Sequence, residues 1–219
     1  NASCSDQFIT FDDSYEVNIR MGSGVDKFTI ENTPAGLTST ISLLGGNDRV
    51  YVKANAGSTT VNGGEGADEF DIETVLSSGT AIINGEIGDD RVYVKANAGS
   101  TTVNGDTGAD KIYIGQEGSV AKIDGSLTVS GGAGSDLLDI DNSAASGEFL
   151  NTVLTSSNLT GLAPGKIVYG GTAEPYGDIE KLDIRLGKGK DRFQIKSTSA
   201  TTYTKIEDAG GDDEFIVSD

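Results

Sequence analysis

Residues 48–63 read DRVYVKANAGSTTVNG, and the same sixteen residues recur at 90–105, an offset of 42 positions. A weaker pattern halves that offset, because a Gly-x-Asp triplet recurs along most of the chain. Its aspartates are Asp26, Asp48, Asp68, Asp90, Asp110, Asp136, Asp191 and Asp213, separated by 22, 20, 22, 20, 26, 55 and 22 residues. Self-similarity at a period of this size is typical of a stacked repeat architecture.

Apolar residues occupy fixed offsets from these aspartates: two and four positions after, and seven before. Around Asp68 they are Phe70, Ile72 and Val61. Their period-two alternation predicts two short strands per repeat. Because a unit of about 21 residues cannot bury its own apolar face, the units must stack. The sequence therefore predicts an all-β fold, a parallel β-solenoid of the β-roll or β-helix type, with two strands and one Gly-x-Asp turn per coil.

Outward-facing residues support the same register. Opposite charges alternate on successive coils five positions after the aspartates, and tyrosines recur three positions after them. The charged residues are Glu31, Lys53, Glu73 and Lys95, and the tyrosines are Tyr51, Tyr93 and Tyr113. Neighbouring strands are favoured when opposite charges face each other, and Tyr93 should stack on Tyr113. A solvated sheet face explains both columns without a ligand.

The repeat divides the chain into four segments. We expect residues 1–16 to form a cap or edge, 17–140 the solenoid coils, 141–181 an insert of extra strands and loop, and 182–219 two further coils. Within the insert and just after it, NTVLTSSNLTGLAPGKIVYGG and YGDIEKLDIRLGKGKDRF resemble a segment common in very long bacterial and algal surface proteins. This resemblance implies a cell-surface context and no particular chemistry.

Stacking would place the equivalent carboxylates about 5 Å apart, the strand spacing in a sheet. Two such charges repel by roughly 1 kcal/mol in water and about 3 kcal/mol at an effective dielectric of 20. Ca²⁺ can relieve this repulsion, because it takes six to eight oxygens from carboxylates and carbonyls. Alternatively, each aspartate caps its own turn by accepting backbone N–H bonds. At Asp191, Lys188 and Lys190 offer a third solution, neutralising the turn without metal.

The turns resemble the RTX, or haemolysin-type, calcium-binding nonapeptide Gly-Gly-x-Gly-x-Asp-x-apolar-x. GGEGADEFD at 63–71 and GGAGSDLLD at 131–139 match every fixed position, whereas GEIGDDRVY at 85–93 and GDTGADKIY at 105–113 lack the second glycine. The resemblance implies a parallel β-roll that binds Ca²⁺ through turn carbonyls and the aspartate. It differs from the family pattern in that the family repeats every nine residues with metal turns on both edges, whereas here we expect the motif on one edge.

Carried over position by position, the resemblance implies two sets of calcium-binding residues. The metal-binding carboxylates are Asp68, Asp90, Asp110 and Asp136, with less complete motifs at Asp26, Asp48, Asp191 and Asp213. The glycines whose backbone shapes the turns and supplies carbonyl oxygens are Gly63, Gly64, Gly66, Gly85, Gly88, Gly105, Gly108, Gly131, Gly132 and Gly134.

Composition excludes several classes of function. The chain carries 34 Asp plus Glu against 16 Lys plus Arg, a formal charge of −18, which argues against nucleic-acid binding because phosphates would be repelled. No stretch is long and apolar enough to insert into a membrane. With no histidine and a lone Cys4, the usual nucleophile and base constellations are missing. A pair of carboxylates acting on a polysaccharide is the remaining catalytic alternative, and we expect the protein not to be an enzyme.

These observations favour a Ca²⁺-binding structural or adhesive module of a long extracellular, cell-surface or filament-forming protein. Its expected partners are neighbouring repeats or domains of the same chain, or further copies in a homopolymer. The alternative is a surface-recognition solenoid that binds ice or a glycan through a flat Thr-x-Asn/Ser face. The Asn-x-Ser/Thr triplets at Asn1 and Asn158 are candidate glycosylation sites. Because the chain opens on Asn1, we expect it to be a piece of a longer protein.

Overall fold

The computed structural model describes residues 15–170 and 179–218. These residues form an all-β parallel solenoid of about nine turns with two sheets and no helix. The predicted fold class is therefore confirmed. Cys4, Asn1 and nearly all of the predicted cap lie outside the described residues.

Twenty-one strands follow each other along the described chain. They are β1 Glu16–Arg20, β2 Lys27–Ile30, β3 Thr38–Ser42, β4 Arg49–Val52, β5 Ser58–Glu65, β6 Glu69–Ile72, β7 Thr80–Ile87, β8 Arg91–Val94, β9 Ser100–Asn104, β10 Thr107–Gly108, β11 Lys111–Ile114, β12 Ser126–Ser130, β13 Ala133–Gly134, β14 Leu137–Asp141, β15 Phe149–Leu154, β16 Asn158–Thr160, β17 Ile167–Tyr169, β18 Lys181–Arg185, β19 Asp191–Ile195, β20 Tyr203–Glu207 and β21 Glu214–Val217.

The strands build two parallel sheets that face each other across the core. The long sheet runs β1-β3-β5-β7-β9-β12-β17-β16-β15-β19-β21, with β10 and β13 beside it, and the short sheet runs β2-β4-β6-β8-β11-β14-β18-β20. Equivalent residues stack from coil to coil, as Val61 opposite Ile83 in the long sheet and Phe70 opposite Val92 in the short sheet show. The offsets read from the sequence are therefore the register of the sheets.

The inward positions of both sheets form one continuous core. Phe70, Ile72, Ile83 and Val94 are all fully buried. Each such side chain contributes roughly 1.5–3 kcal/mol when removed from water, so a few inward residues per coil are enough to hold the stack together.

The outer face of the short sheet carries the expected charge and tyrosine columns, with one difference. Lys53 Nζ lies 2.8 Å from Glu31 Oε1, and the Tyr93 and Tyr113 rings stack at 4.9 Å. Lys95, however, pairs with Asp71, with 2.6 Å between Nζ and Oδ1, rather than with Glu73. A lysine can reach diagonally across the strand gap, so the buried carboxylate of Asp71 replaces the more exposed predicted partner.

The insert adds an antiparallel meander inside the long sheet. Strand β17 continues the stack by pairing in parallel with β12, while β16 runs antiparallel between β17 and β15. Strand β15 then pairs in parallel with β19. The extra strands predicted for 141–181 thus extend one sheet and leave the other uninterrupted.

This meander shifts the repeat by half a coil. Leu182 and Ile184 of β18 lie opposite Leu138 and Ile140 in the short sheet, so β18 continues the strands that follow an aspartate turn. Strand β19, which begins at Asp191, lies in the long sheet. The sequence placed Ile184 in the column that precedes the turns, and that assignment is wrong.

The coil therefore has two different edges. The aspartate edge carries the turns from the long to the short sheet and contains Asp26, Asp48, Asp68, Asp90, Asp110 and Asp136. The asparagine edge carries the turns from the short to the long sheet, with Asn55 and Asn97 in its first coils. Because of the half-coil shift, Asp191 and Asp213 lie at the asparagine edge, and the expectation that all eight aspartates share one edge is wrong.

Candidate functional site: the aspartate edge

A hydrogen-bonded carboxylate ladder runs along the aspartate edge. Each aspartate accepts, through Oδ1, the backbone N–H of the equivalent aspartate in the preceding coil. The N···Oδ1 distances are 2.7 Å for Asp26 to Asp48, 2.7 Å for Asp48 to Asp68, 2.7 Å for Asp68 to Asp90, 2.8 Å for Asp90 to Asp110 and 2.8 Å for Asp110 to Asp136. The side chains thus connect neighbouring coils, whereas the capping alternative had each aspartate bonding its own turn.

The ladder ends on a glutamate. Asp136 donates its backbone N–H to Glu180 Oε2 at 2.8 Å, so Glu180 occupies the aspartate position of the next coil. Sequence reasoning missed Glu180 because no glycine stands two residues before it. The apolar residues two and four positions after it, Leu182 and Ile184, were the available signal.

From Asp48 onward, the distance between coils requires the glycine two residues before each aspartate. A β-carbon at Gly88 would lie 1.7 Å from the carbonyl oxygen of Gly66, and one at Gly66 would lie 1.7 Å from that of Gly46. Gly88 also has a φ of +140°, which side chains disfavour. The coils can therefore approach this closely only with glycine in the triplet.

The second glycine of the nonapeptide occupies a left-handed backbone position. Gly64 and Gly132 have φ values of +98° and +102°. Where that glycine is missing, Glu86 and Asp106 adopt the same conformation, with φ of +73° and +70°. The incomplete motifs therefore form the same turn, at the strain that a side chain costs there.

The other carboxylate oxygen, Oδ2, is buried and has no hydrogen-bond partner among the described residues. This holds for Asp26, Asp48, Asp68, Asp90, Asp110, Asp136 and Asp191. A buried, unpaired polar atom costs about 1–3 kcal/mol. A row of such atoms is rare in a native fold and points to a bound proton or cation.

The first glycine of the nonapeptide lies directly against this oxygen. A β-carbon at Gly85 would lie 2.2 Å from Asp90 Oδ2 and 2.7 Å from the carbonyl oxygen of Gly105. At Gly63 the corresponding distances are 2.4 Å to Asp68 Oδ2 and 2.6 Å to Gly85 O. The carboxylate and the carbonyl of the next coil therefore converge beside a position where no side chain fits. Gly105 repeats the arrangement for Asp110, with Gly131 supplying the carbonyl oxygen, whereas the three nearest atoms at Gly131 all belong to the Asp136 side chain.

The outer coils lack this arrangement. Five residues before Asp48 the chain has Leu43, and five before Asp191 it has Leu186; both leucines are buried in the core. The less complete motifs at Asp48 and Asp191 thus place an apolar side chain where the central turns keep glycine, and the motif at Asp213 has Asp208 at that position. Glycine five residues before the aspartate therefore distinguishes Asp68, Asp90, Asp110 and Asp136 from the other four predicted ligands.

Burial also changes the acidity of the central carboxyls. Loss of hydration raises the pKa of Asp90 to about 7, and raises the pKa values of Asp68, Asp110 and Asp136 to about 6. Hydrogen bonds from the preceding coil lower the pKa and neighbouring carboxylates raise it, both by less than burial does. Near neutral pH these carboxyls are therefore close to the change from the protonated to the ionised form.

The donor set fits a hard divalent cation. Carboxylate and carbonyl oxygens are the ligands Ca²⁺ takes, and Asp90 Oδ2 and Gly105 O both face the space beside Gly85. A proton on Oδ2 can satisfy the same pair by donating to the carbonyl. The two solutions compete, since only the ionised carboxylate binds a cation.

The asparagine edge shows how the same fold buries a neutral side chain. Asn97 donates from Nδ2 to the Ser126 carbonyl oxygen at 2.9 Å and accepts at Oδ1 from Thr101 Oγ1 at 3.0 Å. Asn55 makes the equivalent bonds to Thr80 O and Thr59 Oγ1. Both amides are fully buried and need no ligand.

Comparisons with family models, with curated proteins and with solved structures gave no match. The resemblance to the RTX repeat therefore rests on the turn motif and on the parallel solenoid with its buried aspartates. No helix with the length and hydropathy of a membrane span occurs among the described residues. Of the candidate glycosylation sites, Asn158 is half-buried in β16, and its Nδ2 lies 3.2 Å from Ser157 Oγ.

Proposed function

We propose that this solenoid is a calcium-binding structural module of a long extracellular protein, in which Ca²⁺ stabilises the aspartate edge. The observation that carries the proposal is the row of buried Oδ2 atoms, unpaired within the described residues, beside glycines in four successive coils. Binding a cation at the ionised carboxylates would replace a destabilising row of buried charges with coordinated ones. The overall charge of −18 favours cation binding in the same direction.

The proposed setting follows from the expected affinity. Each central coil offers one carboxylate and nearby carbonyls, a weaker ligand set than an EF-hand loop. Such sites suit the millimolar calcium outside cells, where modules bind with Kd values of about 10⁻⁴–10⁻³ M. The protein is then rigid where calcium is abundant, and we propose a structural rather than a catalytic role.

A melting experiment tests the proposal. Circular dichroism of the chain at pH 7.5 in about 2 mM CaCl₂, within the range of extracellular sites, is compared with the same buffer containing chelator. We expect calcium to raise the melting temperature by at least about 10 °C, since one kcal/mol corresponds to roughly 2–4 °C for a chain of this size. MgCl₂ at equal concentration controls for ionic strength. Identical melting in all three buffers would refute the calcium proposal.

We further propose that the last coil is covered by a neighbouring repeat of the same long chain. Phe215 is 48% exposed and Val217 is 81% exposed, whereas the equivalent Phe193 is buried. An isolated chain with this open end should self-associate. Sedimentation velocity should show concentration-dependent dimers that disappear in Phe215→Ser; a monomer at all concentrations would contradict this.

A second candidate function is supported by the outer face of the long sheet. Two polar columns are in register: Thr40, Thr60, Ile82, Thr102 and Thr128, and Ser42, Asn62, Asn84, Asn104 and Ser130. The asparagines bond head to tail, with Nδ2···Oδ1 distances of 2.7 and 2.8 Å. A flat, ordered array of this kind can match ice or a glycan. Thermal hysteresis and a glycan array test it, and Ile82→Thr should strengthen ice binding if the array is the site.

A further inference from the structure

The half-coil shift brings three aspartates together at the asparagine edge. Asp191 begins β19, and Asp208 and Asp213 lie in the turn between β20 and β21. One carboxylate oxygen from each lies within 4.8 Å of those of the other two. This cluster is separate from the carboxylate ladder, and Asp208 lies outside the turn motif.

Backbone hydrogen bonds hold each of the three carboxylates in place. Asp191 Oδ1 accepts the Phe149 N–H at 3.0 Å, and Asp213 Oδ1 accepts the Asp191 N–H at 2.8 Å. Asp208 Oδ2 accepts the Gly210 N–H at 3.0 Å. The three side chains are thereby oriented before any ligand binds.

The innermost carboxylate of the cluster lacks a partner for one of its oxygens. Asp191 is 1% exposed, and its Oδ2 has no hydrogen bond among the described residues. Asp213 is half-buried and Asp208 is exposed, so the cluster opens from the core to solvent. A cation arriving from solvent would therefore meet the exposed carboxylate of Asp208 first.

The lysines of the same turn do not neutralise the cluster. Lys188 and Lys190 are exposed, and within the described part of the chain no ion pair joins either of them to Asp191. The metal-free solution considered from the sequence is thus not formed. Three carboxylates at this separation repel each other by about 1 kcal/mol per pair in water, and by more when partly buried.

A backbone oxygen adds to the same site. A β-carbon at Gly211 would lie 2.3 Å from the Gly189 carbonyl oxygen and 2.8 Å from Asp213 Oδ1. Glycine at this position leaves no side chain between the two oxygens. The local set therefore contains three carboxylates and one carbonyl, all hard oxygen donors.

We propose that Asp191, Asp208 and Asp213 form a second, surface-accessible site for a divalent cation of the size of Ca²⁺, at the edge opposite the carboxylate ladder. Three carboxylates supply three to six of the six to eight oxygens that Ca²⁺ takes, and water completes the shell on the exposed side. With three carboxylates instead of one per coil, this site should bind more tightly than the ladder. It does not depend on calcium binding at the ladder.

An amide-resolved titration tests this site separately from the ladder. Signals of Gly189, Gly210 and Gly211 in a ¹H–¹⁵N correlation spectrum report on the cluster, and those of Gly66 and Gly88 report on the ladder. On adding CaCl₂ to the full chain, we expect the first group to shift with saturation below about 1 mM, the upper range of extracellular sites. Asp208→Asn should weaken this binding at least tenfold, while Asp212→Asn, an equal change of charge in the same turn, should leave it unchanged.

Each outcome is informative. Shifts at Gly210 and Gly211 that are absent up to about 10 mM Ca²⁺, well above that range, or that are equal in Asp208→Asn and Asp212→Asn, would overturn the site. Shifts at the cluster without shifts at Gly66 and Gly88 would support it and count against the calcium ladder. The reverse pattern would support the ladder alone. Far-ultraviolet dichroism of both variants verifies that they fold.

Discussion

Asn97 at the asparagine edge and Asp90 at the aspartate edge are equally buried, at 0% and 1% exposure, yet only the asparagine has both ends of its head group hydrogen-bonded. Its amide donates to one carbonyl and accepts from one hydroxyl. Asp90 Oδ1 accepts one N–H, and Oδ2 lies unpaired beside a carbonyl oxygen.

The difference shows that this fold can bury a neutral side chain at a turn with all its polar atoms paired. An amide of the same shape could accept the same N–H and donate to the carbonyl, which would stabilise the edge. Four central coils nevertheless have aspartate there. Unlike asparagine, aspartate carries a charge that a proton or a cation can neutralise. This property distinguishes the two edges.

The largest expected effect is the pH dependence of the metal-free protein. Four carboxyls have folded-state pKa values of about 6 to 7 against an ordinary value of 3.8. Because the folded state holds more protons than the unfolded state between these values, stability must fall as pH rises. From pH 5 to 7.5 the loss should be on the order of 5 kcal/mol.

Thermal melting in chelator at a series of pH values measures how steeply stability falls as pH rises. Saturating calcium should flatten or reverse this dependence, since the cation binds the ionised form. A chelated protein that melts at the same temperature at pH 5 and pH 7.5 would show that the two edges do not differ electrostatically.

The strands, their register and the aspartate turns were predictable from the sequence, whereas the hydrogen bonds between coils were not. Glycine and aspartate at fixed offsets, with Phe70 and Ile72 alternating after them, fixed the strands, the register and the turns, because period-two burial leaves no other arrangement. The hydrogen-bond partner of Oδ1 was not predictable. The same sequence allows the carboxylate to accept an N–H of its own turn or an N–H of the neighbouring coil.

The half-coil shift was also beyond sequence reasoning. Ile184 satisfies the spacing both to Glu180 and to Asp191, because strands on both sides of a turn alternate with the same period. The pairing of β18 with β14 decides between the two, and it depends on the three-dimensional path of the insert. The carboxylate cluster that includes Asp208 follows from that path.

Close contact between coils at the aspartate edge can be broken at one glycine. Gly88→Ala forces a β-carbon to within 1.7 Å of the Gly66 carbonyl oxygen at a φ of +140°. We expect a loss of about 4 kcal/mol in the free energy of unfolding, measured in calcium by urea denaturation, from strain and separation of the coils.

The matched control is Gly24→Ala, the same motif position in the first described coil. No described atom lies within 4 Å of a β-carbon there, and φ is not in the left-handed region. This change should cost less than about 0.5 kcal/mol. Equal losses for the two variants would mean that glycine serves the local turn and not the contact between coils.

Converting the asparagine edge to the aspartate type should destabilise it. Asn97→Asp removes the donor to the Ser126 carbonyl and buries a charge, at a cost of about 3 kcal/mol at pH 7.5. The half-buried Asn104→Asp on the outer face loses one bond to Asn84 and should cost about 1 kcal/mol or less. Urea denaturation compares the two. If Asn97→Asp leaves the free energy of unfolding unchanged, this fold tolerates an unpaired buried carboxylate without a ligand.

The reciprocal change should stabilise the metal-free protein while removing a calcium response. In Asp90→Asn, Oδ1 can still accept the Asp68 N–H and Nδ2 takes the place of the unpaired oxygen, facing the Gly105 carbonyl. We expect the free energy of unfolding in chelator at pH 7.5 to rise by about 2 kcal/mol. Added calcium should raise it less than in the unmodified chain, and it should depend less steeply on pH. Asp89→Asn, an exposed neighbour whose side chain accepts the Ala109 N–H at 2.8 Å, changes the net charge equally. It should alter the stability, the calcium response and the pH slope far less, because burial raises the pKa of Asp90 and Asp110 more than the charge of Asp89 does. Because the same substitution is predicted to raise stability in one buffer and to reduce a ligand's effect in another, a general change in packing cannot reproduce the pattern. Destabilisation in both buffers would show that Asp90 serves the fold directly, as Asn97 does.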